Sequence, residues 1–491
     1  MKRIINYRIV FKVLSRNLYI LSGALLSCVV VAFIYSENII PFIWPAFIAT
    51  IIAIVLFFIT KSQNQNFIIG KREAYMAVTL SWSVICFLGS LPYLFSHAIP
   101  SFNNALFESV SGFTTTGSSI LTDIESLPKS ILFWRSLTHW IGGIGIIVLF
   151  IIIMPTLKIG GYNLFTLESS LQEKIKPKIR SVGNRLLFIY LSLTLAEVLL
   201  LMLGKMNLFE SVCHAFSTVA TGGFSPKNTS IADYSPYIQY VIMVFMALSG
   251  TNFIIHYYLL KRKFDNIKRN DEIKFYLGTI IVLGFILTFS LFFNMNKPFE
   301  ESFRESFFQL ISIVTCTGYA TSDYLQWPVF AWAIIFFAMF LGGSTGSTAG
   351  GIKMARHLII LKNLKRILRQ VLSPNAIIPI RLNGSTINKD TNAAILTFVS
   401  VYFLVFLSGT ILMMLLGIDA KTASSSVATC MAGIGPGIGS VGPASNFAHL
   451  PEAGKTLLTF LMIFGKNKLN TYEYLRHHNY SWATNLLITY F

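Results

Sequence analysis

Four times along this chain a segment of mixed polarity, too short to cross a bilayer, is followed at once by a glycine-containing turn and then by a long apolar run. The segments are Phe102–Phe113, Leu208–Val219, Phe303–Val314 and Ala423–Ala432. Stretches of about 10–14 residues in this position read as re-entrant half-helices, because a full crossing takes about 20. The recurring unit is span, half-helix, glycine turn, span, and a repeated unit decides architecture before any single motif does. Aligned on glycine, the turns are Thr115-Thr116-Gly117-Ser118, Ala220-Thr221-Gly222-Gly223, Cys316-Thr317-Gly318-Tyr319 and Gly433-Ile434-Gly435-Pro436. That alignment puts Gly117, Gly222, Gly318 and Gly435 at one position. Upstream, Phe107-Glu108-Ser109-Val110-Ser111 matches Phe308-Gln309-Leu310-Ile311-Ser312 at the same offset.

The surrounding composition makes a bilayer the solvent. Of 491 residues 54% are hydrophobic and 12% charged, whereas soluble domains carry about a quarter charged. The 42 Phe and 20 Tyr exclude a disordered chain. Apolar runs near 17–35, 39–60, 74–97, 131–156, 186–204, 236–260, 275–294, 328–352, 393–417 and from 453 onward predict about ten crossings. The first is read as a retained helix, not a cleaved signal, because it leads directly into the second and no A-x-A-like site follows. A net charge of +18 would suggest nucleic acid on a soluble protein. Here 28 of the 39 Lys and Arg residues fall in alternate loops, 1–16, 61–72, 158–185, 261–274 and 353–389, which should therefore be cytoplasmic. With the N-terminus inside, all four half-helices then enter from the outer face, and no nucleic-acid partner is needed. Cys28, Cys86, Cys213, Cys316 and Cys430 lie in apolar stretches without a C-x-x-C pair, so neither disulfides nor zinc are expected.

The predicted fold is an all-α membrane protein: a two-helix preface and four helix–pore-loop–helix repeats around a central pore. Its divisions are 1–65 for the preface, 66–160 with filter 114–118, 161–262 with filter 220–224, 263–372 with filter 315–319, and 373–491 with filter 433–437. Non-helical backbone at membrane depth is tolerated only where it packs in protein or lines a watery path. Rings of backbone carbonyls replace the hydration shell of an alkali cation, and glycine keeps the lumen free of side chains. Half-helix C-termini carry roughly half a negative charge each, so four converging ends favour a dehydrating cation. Close helix packing is the alternative use of any one glycine turn.

Inside the span after the third turn lies Gly342-Gly343-Ser344-Thr345-Gly346-Ser347-Thr348-Ala349-Gly350-Gly351. Such a run weakens a helix at membrane depth, and a loop there could close a pore beneath the filter; a packing kink is the alternative. A phosphate-cradling loop is excluded, since Ile352 separates Gly351 from Lys353 and Met354 follows. His139-Trp140-Ile141-Gly142-Gly143-Ile144-Gly145 lacks the context of a dinucleotide fingerprint and reads as helix packing. Glu197 is an intramembrane carboxylate, by default a functional candidate or a hydrogen-bonded helix contact. His214, Ser217 and Asp233 make a triad on paper without a nucleophile elbow. Nothing points to an enzyme. The rival to a pore is a cation-coupled secondary transporter of an organic substrate, which would show inverted repeats and a mid-membrane pocket of side chains.

The four units, the filters Thr114-Thr115-Thr116-Gly117, Ala220-Thr221-Gly222-Gly223-Phe224 and Ile434-Gly435-Pro436-Gly437, and loop 342–351 with Lys353 and Arg356 resemble the Trk/Ktr/HKT superfamily of potassium transporters. The preface and His139–Gly145 resemble its TrkH type. The resemblance implies potassium uptake across the bacterial inner membrane by a homodimer with one pore per subunit. Its filter residues would be Thr114, Thr115, Thr116, Gly117, Ala220, Thr221, Gly222, Cys316, Thr317, Gly318, Gly433, Ile434 and Gly435, binding K⁺ through backbone carbonyls. It further implies that loop 342–351 is the gate, controlled by a cytosolic TrkA-like ring; any NAD or ATP would belong to that partner, and this chain would carry no cofactor. Glycine at all four aligned positions goes with potassium over sodium in this comparison. Where the family carries Gly-Arg-x-Glu, this chain has Gly465-Lys466-Asn467-Lys468, so Lys466 is the expected contact to the gate. The polar, His-rich stretch Asn470–Asn479 departs from the pattern as a shifted reading frame would.

Overall fold

Two apolar helices with alanine and hydroxyl residues on their facing sides open the chain, and they pair tightly. In this computed structural model, which describes residues 6–61, 71–153 and 179–466, α1 (Tyr7–Ile34) and α2 (Ile40–Thr60) are held by the Ser15 hydroxyl on the Ala53 carbonyl at 2.8 Å and the Ser22 hydroxyl on the Ala46 carbonyl at 3.2 Å. Small residues let backbones approach, and hydroxyls then bond across the contact. The outward sides stay apolar, with Phe33, Trp44 and Phe58 exposed.

The body continues through α3 (Lys71–Phe95), the short α4 (Phe102–Phe113), α5 (Lys129–Ile153), α6 (Ile179–Leu203) and the short α7 (Leu208–Val219). Then come α8 (Pro236–Ser249), α9 (Phe253–Leu260), α10 (Phe264–Lys268), α11 (Asp271–Met295), α12 (Phe299–Val314), α13 (Val329–Ala338) and α14 (Met354–Leu372). A two-residue antiparallel pair, β1 (Arg381–Leu382) and β2 (Ser385–Thr386), precedes α15 (Lys389–Leu415), α16 (Ala420–Ala432) and α17 (Glu452–Lys466). Among the described residues, six helices are long and apolar enough to cross a bilayer, in α1, α2, α3, α6, α11 and α15. Their exposed faces carry side chains such as Leu203, Phe293 and Leu415. The protein is a multi-pass membrane protein.

The expected half-helices at 303–314 and 423–432 start earlier than the apolar pattern implied. α12 begins at Phe299, behind Pro298, with Glu300 and Glu301 in its first turn, and α16 begins at Ala420, where the Asp419 carboxylate accepts the Thr422 N–H at 3.0 Å. Acidic groups suit a helix N-terminus.

Two expected spans are not continuous. Residues 236–260 bend by 102° between α8 and α9. The Asn252 side chain caps α9 through the Ile254 N–H at 2.9 Å, and the Gly250 carbonyl is taken by the Ser344 N–H at 2.8 Å. Residues 328–352 form a helix only as far as Ala338. The chain then runs without helix to α14, whose Lys362, Lys365, Arg366 and Arg369 mark it as something other than a continued span. The tail expected to depart from the pattern, Asn470–Asn479, lies outside the described residues.

Candidate functional site

Each half-helix ends in the same way. Thr114, Ala220 and Thr315 are the last right-handed residues, and the next residue turns left-handed: Thr115 (φ 52°), Thr221 (55°), Cys316 (56°) and, after Ala432, Gly433 (74°). The residue after that returns its N–H to the helix: Thr116 to the Ser111 carbonyl at 2.8 Å, Gly222 to Ser217 at 2.8 Å, Thr317 to Ser312 at 2.8 Å and Ile434 to Thr429 at 3.0 Å. This is a Schellman-type ending, and three of its four left-handed positions hold residues that pay a steric cost there. With the N–H groups turned back into the half-helix, the carbonyl oxygens of Thr116, Gly222, Thr317 and Ile434 accept no hydrogen bond among the described residues.

The second left-handed position corrects the alignment. It is occupied by Gly117 (φ 80°), Gly223 (83°), Gly318 (86°) and Gly435 (104°), so Gly223, not Gly222, is the equivalent glycine of the second turn. Gly222 corresponds to Thr116, Thr317 and Ile434. The contacts agree. A Cβ on Gly117 would overlap the Gly222 carbonyl oxygen, on Gly223 that of Thr317, and on Gly318 that of Ile434. On Gly435 it would lie 3.1 Å from the Thr116 carbonyl oxygen. Each glycine thus abuts the same carbonyl of the next strand, and the fourth returns to the first. The four strands close a ring in chain order, with the carbonyls of Thr116, Gly222, Thr317 and Ile434 in one layer.

Polar side chains of the half-helices brace the strands from behind. Glu108 accepts the Ser119 hydroxyl, the Ile120 N–H at 3.0 Å and the Arg135 Nε at 2.9 Å. Arg135 also donates to the Ser225 carbonyl at 3.2 Å and lies over the Phe224 ring at 4.1 Å, tying the first unit to the second. Gln309 donates to the Ser322 carbonyl at 3.0 Å, and the Ser425 hydroxyl accepts the Ile438 N–H at 2.8 Å. His214 belongs to this set: its Nε2 is 3.1 Å from the Ser225 hydroxyl and its Nδ1 2.8 Å from the Glu210 carbonyl. Ser217 instead meets His139 at 3.3 Å and Asp233 accepts the Thr229 hydroxyl at 2.7 Å, so the paper triad does not assemble. His139 stacks on Phe224, Gly142 abuts the Phe113 carbonyl and Gly143 abuts Ala220, so His139–Gly145 packs α5 between the first two half-helices. Glu197 is fully buried, with neither carboxyl oxygen hydrogen-bonded among the described residues.

Loop 342–351 lies against the half-helix ends. The Thr348 hydroxyl donates to the Val219 carbonyl at 3.1 Å, the Gly351 N–H to the Ala432 carbonyl at 2.8 Å, and Gly351 also sits near the Cys316 sulfur. Its own carbonyls at Ser344, Ser347 and Ala349 gather on the Lys353 ammonium at 3.3, 3.2 and 2.8 Å. At the first half-helix the Lys466 ammonium donates to the Thr114 carbonyl at 2.9 Å and the Thr115 hydroxyl at 2.7 Å. Lys466 therefore reaches the C-terminal end of the first half-helix itself. Ring, loop and lysine form one continuous assembly.

The expected filter ranges 220–224 and 315–319 held Gly223 and Thr315, but neither was named among the filter residues, and Ala432 at the end of the fourth half-helix and Glu272 behind the loop were missed. The signal for Gly223 was present: each turn glycine lies six residues after a hydroxyl residue of the half-helix, Ser111, Ser217, Ser312 or Thr429.

A model of the TrkH family, described as cation transport protein, matches residues 40–480, past Gly465. The chain is 33% identical to the Trk system potassium uptake protein TrkH of Salmonella typhimurium over 474 residues, covering 95% of this chain and 97% of that one. It is 35% identical to the Trk system potassium uptake protein TrkI of Halomonas elongata over 404 residues, 81% of this chain and 82% of that one. Its structure resembles the crystal structure of the potassium transporter TrkH from Vibrio parahaemolyticus with a TM-score of 0.86 at 30% identity, covering 97% of this chain and all of the other.

Proposed function

The chain belongs to the TrkH family of cation transport proteins, and on that premise we propose that it takes up potassium through a single pore lined by the closed ring of four strands. The observation that carries this reading is the cyclic contact of Gly117, Gly223, Gly318 and Gly435 with the carbonyls of the neighbouring strands. A ring of main-chain oxygens at the ends of four half-helices replaces the water of a bare monovalent cation without any carboxylate. In this reading the chain is built of a two-helix preface and four units, crossing about ten times with its N-terminus in the cytoplasm of a bacterium and its helices in the inner membrane. It acts as a homodimer with a TrkA-like cytosolic ring, which alone supplies any nucleotide dependence; this chain holds no cofactor. Loop 342–351 is the gate, and Lys353 and Lys466 hold it and the first half-helix in the closed arrangement.

The test is growth of a bacterium without potassium uptake on low-potassium medium. The parent chain is expected to rescue it, and deleting residues 344–349 is expected to raise rubidium uptake and weaken its regulation. Membrane-inserted parent protein without rescue removes the potassium assignment. An unchanged flux in the deletion removes the gate.

A further inference from the structure

Asp271 and Glu272 are the first two residues of α11, and each holds different elements. Glu272 is buried; its Oε1 accepts the Thr345 N–H of the loop at 2.6 Å and the Ala355 N–H in the first turn of α14 at 3.2 Å. Asp271 Oδ2 accepts the Lys362 ammonium of α14 at 2.7 Å and the Asn383 N–H at 3.2 Å, while the Asp271 N–H donates to Asn383 Oδ1 at 2.7 Å. Asn383 and Gly384, with φ 50° and 81°, make the tight turn between β1 and β2, and Lys362 also donates to the Arg381 carbonyl at 2.7 Å. The hairpin, α14 and the loop thus meet on two adjacent carboxylates.

The two charged side chains packed against the loop, Lys353 and Glu272, divide its peptide groups by polarity. Lys353 collects carbonyls and Glu272 collects an N–H. Hydrogen bonds to ionised groups are roughly twice as strong as neutral ones. A contact made only in the closed arrangement sets the ratio of open to closed by its whole strength, so losing it opens the pore without touching the filter.

We propose that Glu272 is the latch that keeps the loop beneath the filter, and that the Asn383-Gly384 turn is the handle that releases it. Moving the hairpin shifts Asp271, and the helix carries Glu272 with it, breaking the bond to Thr345. The proposal rests on the reading of loop 342–351 as the gate. Glu272 is a positioning residue: it acts through the Thr345 N–H of the loop.

The test is rubidium uptake by the full chain in lipid vesicles, with sodium as competitor and no cytosolic partner. Glu272→Ala is expected to raise the initial rate about tenfold. Glu272→Gln, which keeps a neutral acceptor, raises it by about threefold. Asn383→Ala raises it as well, and the double variant with Glu272→Ala is no faster than Glu272→Ala alone, because both act on one bond. Rubidium-over-sodium preference stays at the parental value throughout, whereas a general loosening of the fold would lower preference and rate together and overturn the latch. If deletion of 344–349 raises the rate while Glu272→Ala leaves it parental, the latch is wrong and the gate stands. If the deletion changes nothing, the gate falls and the latch with it. If Glu272→Ala yields no folded protein, Glu272→Gln decides, and a parental rate there refutes the latch.

Discussion

Gly223→Ala is expected to abolish selective uptake, while Gly222→Ala is expected to be relieved by a second substitution at His139. Gly223 has φ 83° and its missing Cβ is replaced by the Thr317 carbonyl. Left-handed backbone costs an L-residue about 1–2 kcal/mol, and displacing a carbonyl of the proposed ion-binding ring adds to it. Together about 3 kcal/mol would cut transport about a hundredfold. Gly222 has no positive φ, and a Cβ there meets the His139 imidazole instead. His139→Ala should therefore restore part of what Gly222→Ala loses and nothing of what Gly223→Ala loses, because the second obstacle is main chain. Rubidium uptake with and without sodium reads both. Parental uptake by Gly223→Ala would show that the ring is not where ions pass.

The other large effect is on stability. Arg135 and Glu108 form an ion pair at 2.9 Å with side chains 2% and 0% exposed. Removing one partner strands the other charge in a medium that cannot solvate it, at about 3–5 kcal/mol. Arg135→Ala should lower the thermal midpoint in detergent and the yield of inserted protein more than any surface substitution. Arg135→Lys should fall between, because lysine keeps the charge but not the fork that reaches Glu108, Ser119 and the Ser225 carbonyl together. The double variant Glu108→Ala with Arg135→Ala should cost less than the sum of the singles. Additive losses would mean that the pair contributes nothing as a pair.

The half-helices were legible because their length and polarity are local properties: Phe102–Phe113 and Leu208–Val219 run over the expected residues. The loop at 342–351 was legible for the same reason, as a cluster of weak helix formers where a span should run. Register was not. The doublet Gly222-Gly223 offered two glycines to one position, and local composition does not distinguish a residue whose φ must be positive from one that must yield to a histidine of another helix. Nor was the bend at 250–252 visible, since Gly250 gives up its place in the helix to an N–H ninety-four residues away at Ser344.

By itself the sequence determined a membrane chain with four short helices that stop at glycine turns, because hydropathy and backbone freedom are written residue by residue. Only the tertiary structure decided that the four turns close on one another, which glycine of the second turn belongs to the ring, that Arg135 ties the first unit to the second, and that Lys466 bonds the end of the first half-helix. Those are contacts between distant segments, fixed by how carbonyls and charges find partners where there is no water to supply them.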